Sequence, residues 1–238
     1  KSYAWDKETA QAAFDDARKK LDVDVIPIFL MHEQEDRLTL KGHREAFDFY
    51  LEQKAKGKIR AVGFSTHRVA AVDYAPRYPG LDVIHPLINR TGVGIADGTR
   101  DEMMAAIARA HSAGIGIYAM KPLGGGHLLR EPKEAFDFLR AQHCIDAVCC
   151  GMQSEAEIDV NLRLMEGQEP DAAALALTRR EPRHLMIHDY CRGCGKCVQR
   201  CRQGALSIVD GKCVCDQSKC VRCGYCAPVC EDFCIKVV

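Results

Sequence analysis

Eleven of the fourteen cysteines lie between positions 191 and 234. Cys191, Cys194, Cys197 and Cys201 read C-x2-C-x2-C-x3-C, and Cys220, Cys223, Cys226 and Cys230 repeat the pattern 29 residues later. A thiolate is a soft anionic ligand, and three at two-residue gaps crowd one tight loop. That arrangement suits three corners of a cubic iron–sulfur cluster, with the fourth cysteine on the segment that follows. Structural zinc is the competing reading. Zinc ribbons use two C-x-x-C pairs across a longer spacer, whereas a triple that occurs twice places too many ligands in each loop. Disulfides suit small secreted chains, and most of this one is free of cysteine. Cys213, Cys215 and Cys234, like Cys144, Cys149 and Cys150, fall outside the motifs and read as small packing residues.

Residues 186–238 resemble bacterial-type ferredoxins that carry two 4Fe–4S clusters. The resemblance implies one cluster on Cys191, Cys194, Cys197 and Cys230, and a second on Cys220, Cys223, Cys226 and Cys201, so that each fourth cysteine crosses over. The proline usual after the fourth cysteine is Arg202 in one motif and Glu231 in the other, a change in turn geometry and not in ligation. Asp210 and Gly211 predict a hairpin between 205–209 and 212–215. Residues 233–238 are expected to pair with 186–190.

Upstream, five short apolar runs recur at 23–31, 59–65, 81–88, 114–120 and 144–151. Helix-like stretches alternate with them at 7–21, 43–56, 68–76, 100–113, 132–142 and 155–166. Thr99 with Glu102, and Ser154 with Glu157, have capping-box spacing. Buried strands alternating with helices mean parallel β/α units, in a doubly wound sheet or in a barrel. Periodicity does not choose between these, although no G-x-G-x-x-G follows a first strand. The 33 acidic and 33 basic residues leave no net charge, which argues against a nucleic-acid partner. No apolar run approaches the roughly 20 residues of a membrane span. The opening residues look like no signal peptide, and the chain reads as a fragment. Reduced thiols point to the cytoplasm.

The first strand-like run ends V-D-V-I-P-I-F-L-M-H at His32. K-G-K-I-R-A-V-G-F-S-T-H occupies 56–67, D-V-I-H-P-L-I-N 82–89, and G-I-G-I-Y-A-M-K-P-L-G-G-G 114–126, before A-V-C-C-G-M-Q-S and a helix containing Asn161. This succession resembles the aldo/keto reductases from their fourth strand to their eighth, over about residues 1–166. Together with the cysteine-rich tail it resembles the iron–sulfur-containing branch of that family. The resemblance implies an eight-stranded barrel that moves hydride between NAD(P)H and a small carbonyl or alcohol at the carboxyl ends of its strands. In the family a tyrosine is the acid, a lysine lowers its pKa, an aspartate supports the lysine, and a histidine orients the carbonyl. His32 matches the histidine and Lys1 the lysine. The tyrosine and aspartate are expected before Lys1, within three further β/α units of roughly 90 residues.

By the same resemblance Ser65 and Asn89 lie near the nicotinamide amide, Gly124 in a pyrophosphate-side loop, and Asn161 near the adenine. Departures are His85 for a glutamine, Met120 for the stacking aromatic, and Lys121 for the serine after it. Gly151, Met152 and Glu157 stand where the 2′-phosphate clamp would be; Glu157 would repel a phosphate and reads as a helix cap.

The expected architecture is therefore α/β. A partial (β/α)8 TIM barrel lacking its first three units (1–166) leads through a linker with a short helix (167–185) to a small α+β ferredoxin-like domain (186–238). The leading functional reading is an iron–sulfur oxidoreductase whose clusters exchange electrons with an external redox partner or brace the carboxyl end. The alternative is a non-catalytic electron carrier or docking protein on a degenerate barrel.

Overall fold

Each apolar run is followed by a helix that carries the chain back to where it started, so successive strands can pair only in parallel. The computed structural model describes residues 1–129, 131–178, 184–230, 232 and 234–237. Its first strands are β1 (Ile26–Met31), β2 (Ile59–Thr66), β3 (Val83–Pro86), β4 (Gly116–Met120) and β5 (Ala147–Cys149). They form one parallel sheet in the order β1-β2-β3-β4-β5. A doubly wound sheet reverses its order at a switch point, whereas a barrel wall does not. The topology thus makes the choice that periodicity leaves open: the sheet is a curled half-barrel. Pro27, which cannot donate to a ladder, sits in β1 at the open edge of the sheet, where that defect is tolerated.

The helices of this part are α1 (Lys7–Leu21), α2 (Arg37–Gly42), α3 (Arg44–Ala55), α4 (Val69–Tyr74), α5 (Arg100–Ser112) and α6 (Pro132–Arg140). All but α2 fall where the sequence predicts them. That short helix begins at Asp36, whose carboxylate accepts from the backbone N–H of Leu38 and Thr39, while the Thr39 hydroxyl receives the Asp36 N–H at 2.8 Å. The reciprocal cap uses threonine where a glutamate is usual, which is why the spacing does not announce it. Asp6 and Thr9 start α1 in the same way, and the Thr99–Glu102 box is present.

The core gathers Phe14 from α1, Phe29 from β1, and Phe49 and Tyr50 from α3, with ring centroids 4.7–6.1 Å apart. The Tyr50 hydroxyl donates to Ser2 Oγ at 3.1 Å. Ser2 then bonds to β1 on both sides: its N–H donates to Leu30 O (2.9 Å) and its carbonyl accepts from His32 N (2.7 Å). The opening residues therefore run beside β1 where a preceding parallel strand would lie. Trp5 is exposed.

Two aspartates stitch the starts of the strands. Asp82 accepts from Val62 N (2.9 Å) through its carboxylate, donates its own N–H to Val62 O (3.0 Å), and is reached by Lys54 Nζ at 2.5 Å. Asp146 does the same to Ile117, with bonds of 2.7 and 3.0 Å. Lys54 is therefore an ion-pair partner of Asp82.

The chain divides into two compact units, Lys1–Pro122 with Phe138–Cys150, and Leu123–Asp137 with Gly151–Val238. The second contains α7 (Glu155–Met165), α8 (Ala172–Leu177), β6 (Leu185–Ile187), α9 (Lys196–Arg200), β7 (Leu206–Val209), β8 (Lys212–Cys215) and β9 (Ile235–Val237). It includes the glycine-rich segment after β4, residues 132–137 of α6, and α7. β7 and β8 form the hairpin around Asp210 and Gly211, and β6 pairs antiparallel with β9. α8 is the short helix expected between 167 and 185; residues 179–183 of that linker, and Phe233 and Val238 of the terminal ribbon, lie outside the described residues. Among the described residues no helix is long and apolar enough to cross a membrane.

Asp82→Ala leaves the buried Val62 N–H without an acceptor. It is expected to lower the unfolding free energy by about 2 kcal/mol, read as a shift of the urea midpoint with an unchanged slope.

Candidate functional site

Parallel strands end at one edge, and the residues just past those ends face each other there. β1 delivers His32 and Glu33, β2 delivers Ser65 and His67, β3 carries His85, and β4 carries Tyr118 and leads to Lys121. Register brings Ser65 opposite His85. Ser65 Oγ lies 3.4 Å from His32 Nδ1 and accepts from the Glu33 N–H at 3.2 Å. The Ser65 carbonyl accepts from Gln34 N at 2.8 Å, which closes the turn after β1. Glu33 takes a left-handed backbone conformation in that turn (φ 56°), uncommon for a residue with a side chain. One of its oxygens accepts from His67 Nδ1, and the other lies 3.6 Å from His32 Nδ1. The Tyr3 ring stacks on His32 at 4.5 Å.

Burial, and then the positive charge of Lys1, hold the His32 imidazole below its usual range, while Glu33 acts in the opposite direction. Lys1 is exposed, yet its charge also reaches His85. Burial alone would raise the Glu33 carboxyl. The His67 hydrogen bond, with the charges of His67, His32 and Lys121, outweighs it and leaves Glu33 below its usual value. His85 is buried, stacks on Tyr118 with centroids 4.4 Å apart, and donates from Nδ1 to the Tyr118 carbonyl. Burial lowers it to about 4.

Of the residues singled out by sequence, the structure gathers His32 and Ser65, with Lys1 in electrostatic range. Asn89 is fully buried and occupied by its own loop: its amide donates to Val93 O (2.9 Å), and its oxygen accepts from Val93 N (3.1 Å) and from the Thr91 hydroxyl (3.3 Å). Gly124 and Asn161 belong to the second unit. Glu33 and His67 are what sequence reasoning missed. Both follow strands directly, Glu33 after His32 and His67 at the end of the F-S-T-H run, and position past a strand end was the available signal.

In the second unit a pocket is lined by Cys191, Cys194 and Cys197 of the first motif and by Cys230 of the second, together with Cys213 and Asp232. The two motifs are clasped by Arg192, whose guanidinium donates to both Asp232 oxygens at 2.7 and 2.9 Å. Cys191 Sγ accepts from the backbone N–H of Cys213 (3.5 Å) and of Gly193 (3.4 Å), which holds its thiol below the ordinary value. Cys201 of the first motif lies within electrostatic reach of Cys223 in the second: burial raises the Cys223 thiol, a Tyr225 backbone bond opposes this, and Cys201 and Cys220 add to it. Among the described residues no group of three or more His, Cys, Asp or Glu is arranged to hold a metal ion. Gly124–Gly126 has positive φ throughout and lies on the second motif. A Cβ on Gly126 would stand 2.5 Å from Val221 O, and one on Gly125 would stand 3.2 Å from Cys223 O. The glycine triplet thus has a packing reason of its own. Glu157 accepts from Gln153 N at 2.8 Å at the start of α7, as a capping residue does.

The depressed pKa of His85 has a sign. Between its ordinary value of 6.5 and about 4 the unfolded chain binds a proton that the folded chain refuses. Stability is therefore full above pH 6.5 and is lost as pH falls toward 4. His85→Gln is expected to flatten that limb of a stability–pH curve measured by urea unfolding.

A model of the aldo/keto reductase family matches residues 2–176. Among solved structures, the chain is similar to an aldo-keto reductase from Bacillus halodurans (19% identity over 71% of this chain and 66% of that one, TM-score 0.53). It is also similar to one from Brucella melitensis (18%, 74% and 69%, TM-score 0.53). A Pseudomonas aeruginosa protein assigned to the same family matches at 20% identity over 72% of this chain, with TM-score 0.54. The chain spans 61% of that protein's length. No curated protein sequence matches. At these identities the likeness shows the fold, and the family match covers most of the sequence: the chain belongs to the aldo/keto reductase family.

Proposed function

We propose that the chain forms part of an iron–sulfur oxidoreductase that moves hydride between NAD(P)H and a small carbonyl or alcohol. Family membership carries the reductase half of this reading. His32 lies at the strand-end mouth, where family chemistry is done, and its role is to orient the carbonyl oxygen by hydrogen bonding. Lys1 is placed to act electrostatically on the same mouth. Ser65 and Asn89 are proposed as nicotinamide contacts. Ser65 Oγ already accepts from Glu33 N and lies 3.4 Å from His32 Nδ1, and Asn89 gives one amide hydrogen to Val93 O, so the second amide hydrogen of Asn89 would be the one to donate to a carboxamide oxygen. Gly124 and Asn161 are proposed for the pyrophosphate and adenine sides. When bound, the coenzyme supplies the hydride.

One observation carries the iron–sulfur half: a pocket that draws Cys191, Cys194 and Cys197 from one motif and Cys230 from the other. This is the crossed set that two-cluster ligation calls for, and no zinc ribbon needs such a crossing. A cluster takes one thiolate per iron, so its ligands surround a volume and do not converge on a point. The second cluster would be held by Cys220, Cys223, Cys226 and Cys201. When bound, the clusters would exchange single electrons with an external redox partner, or would brace the module that holds them.

Protein purified without oxygen should contain about eight irons and absorb broadly near about 400 nm. Stoichiometric zinc in their place would overturn the assignment. Cys230→Ser should alter the electron paramagnetic resonance signal of the cluster on Cys191, Cys194 and Cys197 and leave the other intact. In the full-length protein His32→Ala should lower carbonyl turnover more than coenzyme affinity, and unchanged turnover would remove His32 from the site.

A further inference from the structure

The carboxylate of Glu33 stands between two imidazoles. One oxygen accepts from His67 Nδ1, and the other lies 3.6 Å from His32 Nδ1. Since a carboxylate only accepts, His67 carries its hydrogen on Nδ1. His67 Nε2 is buried with no hydrogen-bond partner, so His67 faces Glu33 and nothing else polar among the described residues through its ring nitrogens. Glu33 in turn is held in place by its backbone. Its left-handed conformation is fixed by the N–H bond to Ser65 Oγ, and Gln34 N–H binds the Ser65 carbonyl beside it. A residue kept in a sparsely populated conformation at a strand-end mouth asks for a reason beyond turn formation.

The Nδ1 edge of His32 is therefore taken up by Ser65 and Glu33, and Nε2 is the nitrogen left for a ligand. In the imidazolium form both nitrogens carry hydrogen, so Nδ1–H faces the carboxylate while Nε2–H remains a donor. We propose that Glu33 is a positioning residue that favours the protonated form of His32, and that His67 tethers Glu33 for that purpose. This rests on the proposed role of His32 at a substrate carbonyl. The other groups that bear on the pair are the Lys1 side chain and the terminal amino group of the opening segment, His85 from β3 and Lys121 after β4; all are basic, so Glu33 is the one acidic group among those that act on His32 here.

The test uses the full-length protein and reads the His32 imidazole nitrogens by NMR during a pH titration, with no substrate present. Glu33→Gln keeps the shape and removes the charge, and is expected to lower the His32 midpoint by roughly one pH unit. His67→Gln, which leaves the carboxylate untethered, should lower it by less. It gives the same readout if Glu33→Gln fails to fold. An unchanged midpoint in either folded variant overturns the proposal. Turnover separates this from the reading beneath it. With carbonyl substrate, Glu33→Gln should shift the limb of the kcat profile that reports His32 to lower pH by the same amount and leave KM little changed. A lowered midpoint in a protein whose His32→Ala variant turns over normally would leave the Glu33–His32 coupling standing and defeat the carbonyl role of His32.

Discussion

In-register parallel pairing is the constraint on which the site depends. Ser65 and His85 meet because Gly63 is paired with Val83 and Phe64 with Ile84, and His32 joins them because Met31 is paired with Phe64. A shift of one residue in any of these ladders would turn every side chain to the opposite face. Asp82 and Asp146 guard against that shift at the strand starts, where each binds both backbone groups of a residue on the neighbouring strand. Tyr50 extends the same control to the opening residues through Ser2. The chemistry at one end of the sheet is thus set by polar stitching at the other end and along its open edge.

The strand-end mouth is built from groups that restrain one another's charge. Burial suppresses the protonation of His32 and His85, and Lys1 adds to that suppression. Glu33 is the countervailing charge, and the His67 hydrogen bond with the charges of His67, His32 and Lys121 offsets its burial. The second unit uses a different logic. One buried cluster in it is made largely of thiols, with Leu185, Leu206 and Ile235 as the larger apolar members. Backbone N–H groups point at Cys191 and Cys230, and one bidentate ion pair, Arg192 with Asp232, brings the two cysteine motifs together.

Much of this was legible in the sequence, for reasons that differ by element. The strands and long helices follow from apolar period and caps such as Thr99 with Glu102, because local pattern and tertiary burial agree there. α2 was not legible because its cap uses Thr39 in place of glutamate. The choice of barrel over doubly wound sheet depends on strand order, which no local pattern encodes. His32 was visible as a polar residue ending an apolar strand. Glu33 and His67 were not, since an acid and a histidine 34 positions apart become partners only when β1 and β2 lie side by side. The glycine triplet was visible as a motif, but the space its missing side chains leave to Val221 and Cys223 was not.

That last feature bears on where the chain can be cut. The carbonyl of Val221 sits where a side chain on Gly126 would be, and the His127 ring lies against Tyr225 with Gln203 bonded to its Nδ1 at 2.9 Å. A segment beginning at residue 167 would carry every cysteine of the two motifs yet lack this wall. The loop's contact with the module spans a long stretch of sequence, which makes it costly in chain entropy to form and easy to lose on excision. The cysteine-rich module is therefore less a detachable appendage than a structure completed by a loop that the barrel sequence lends to it.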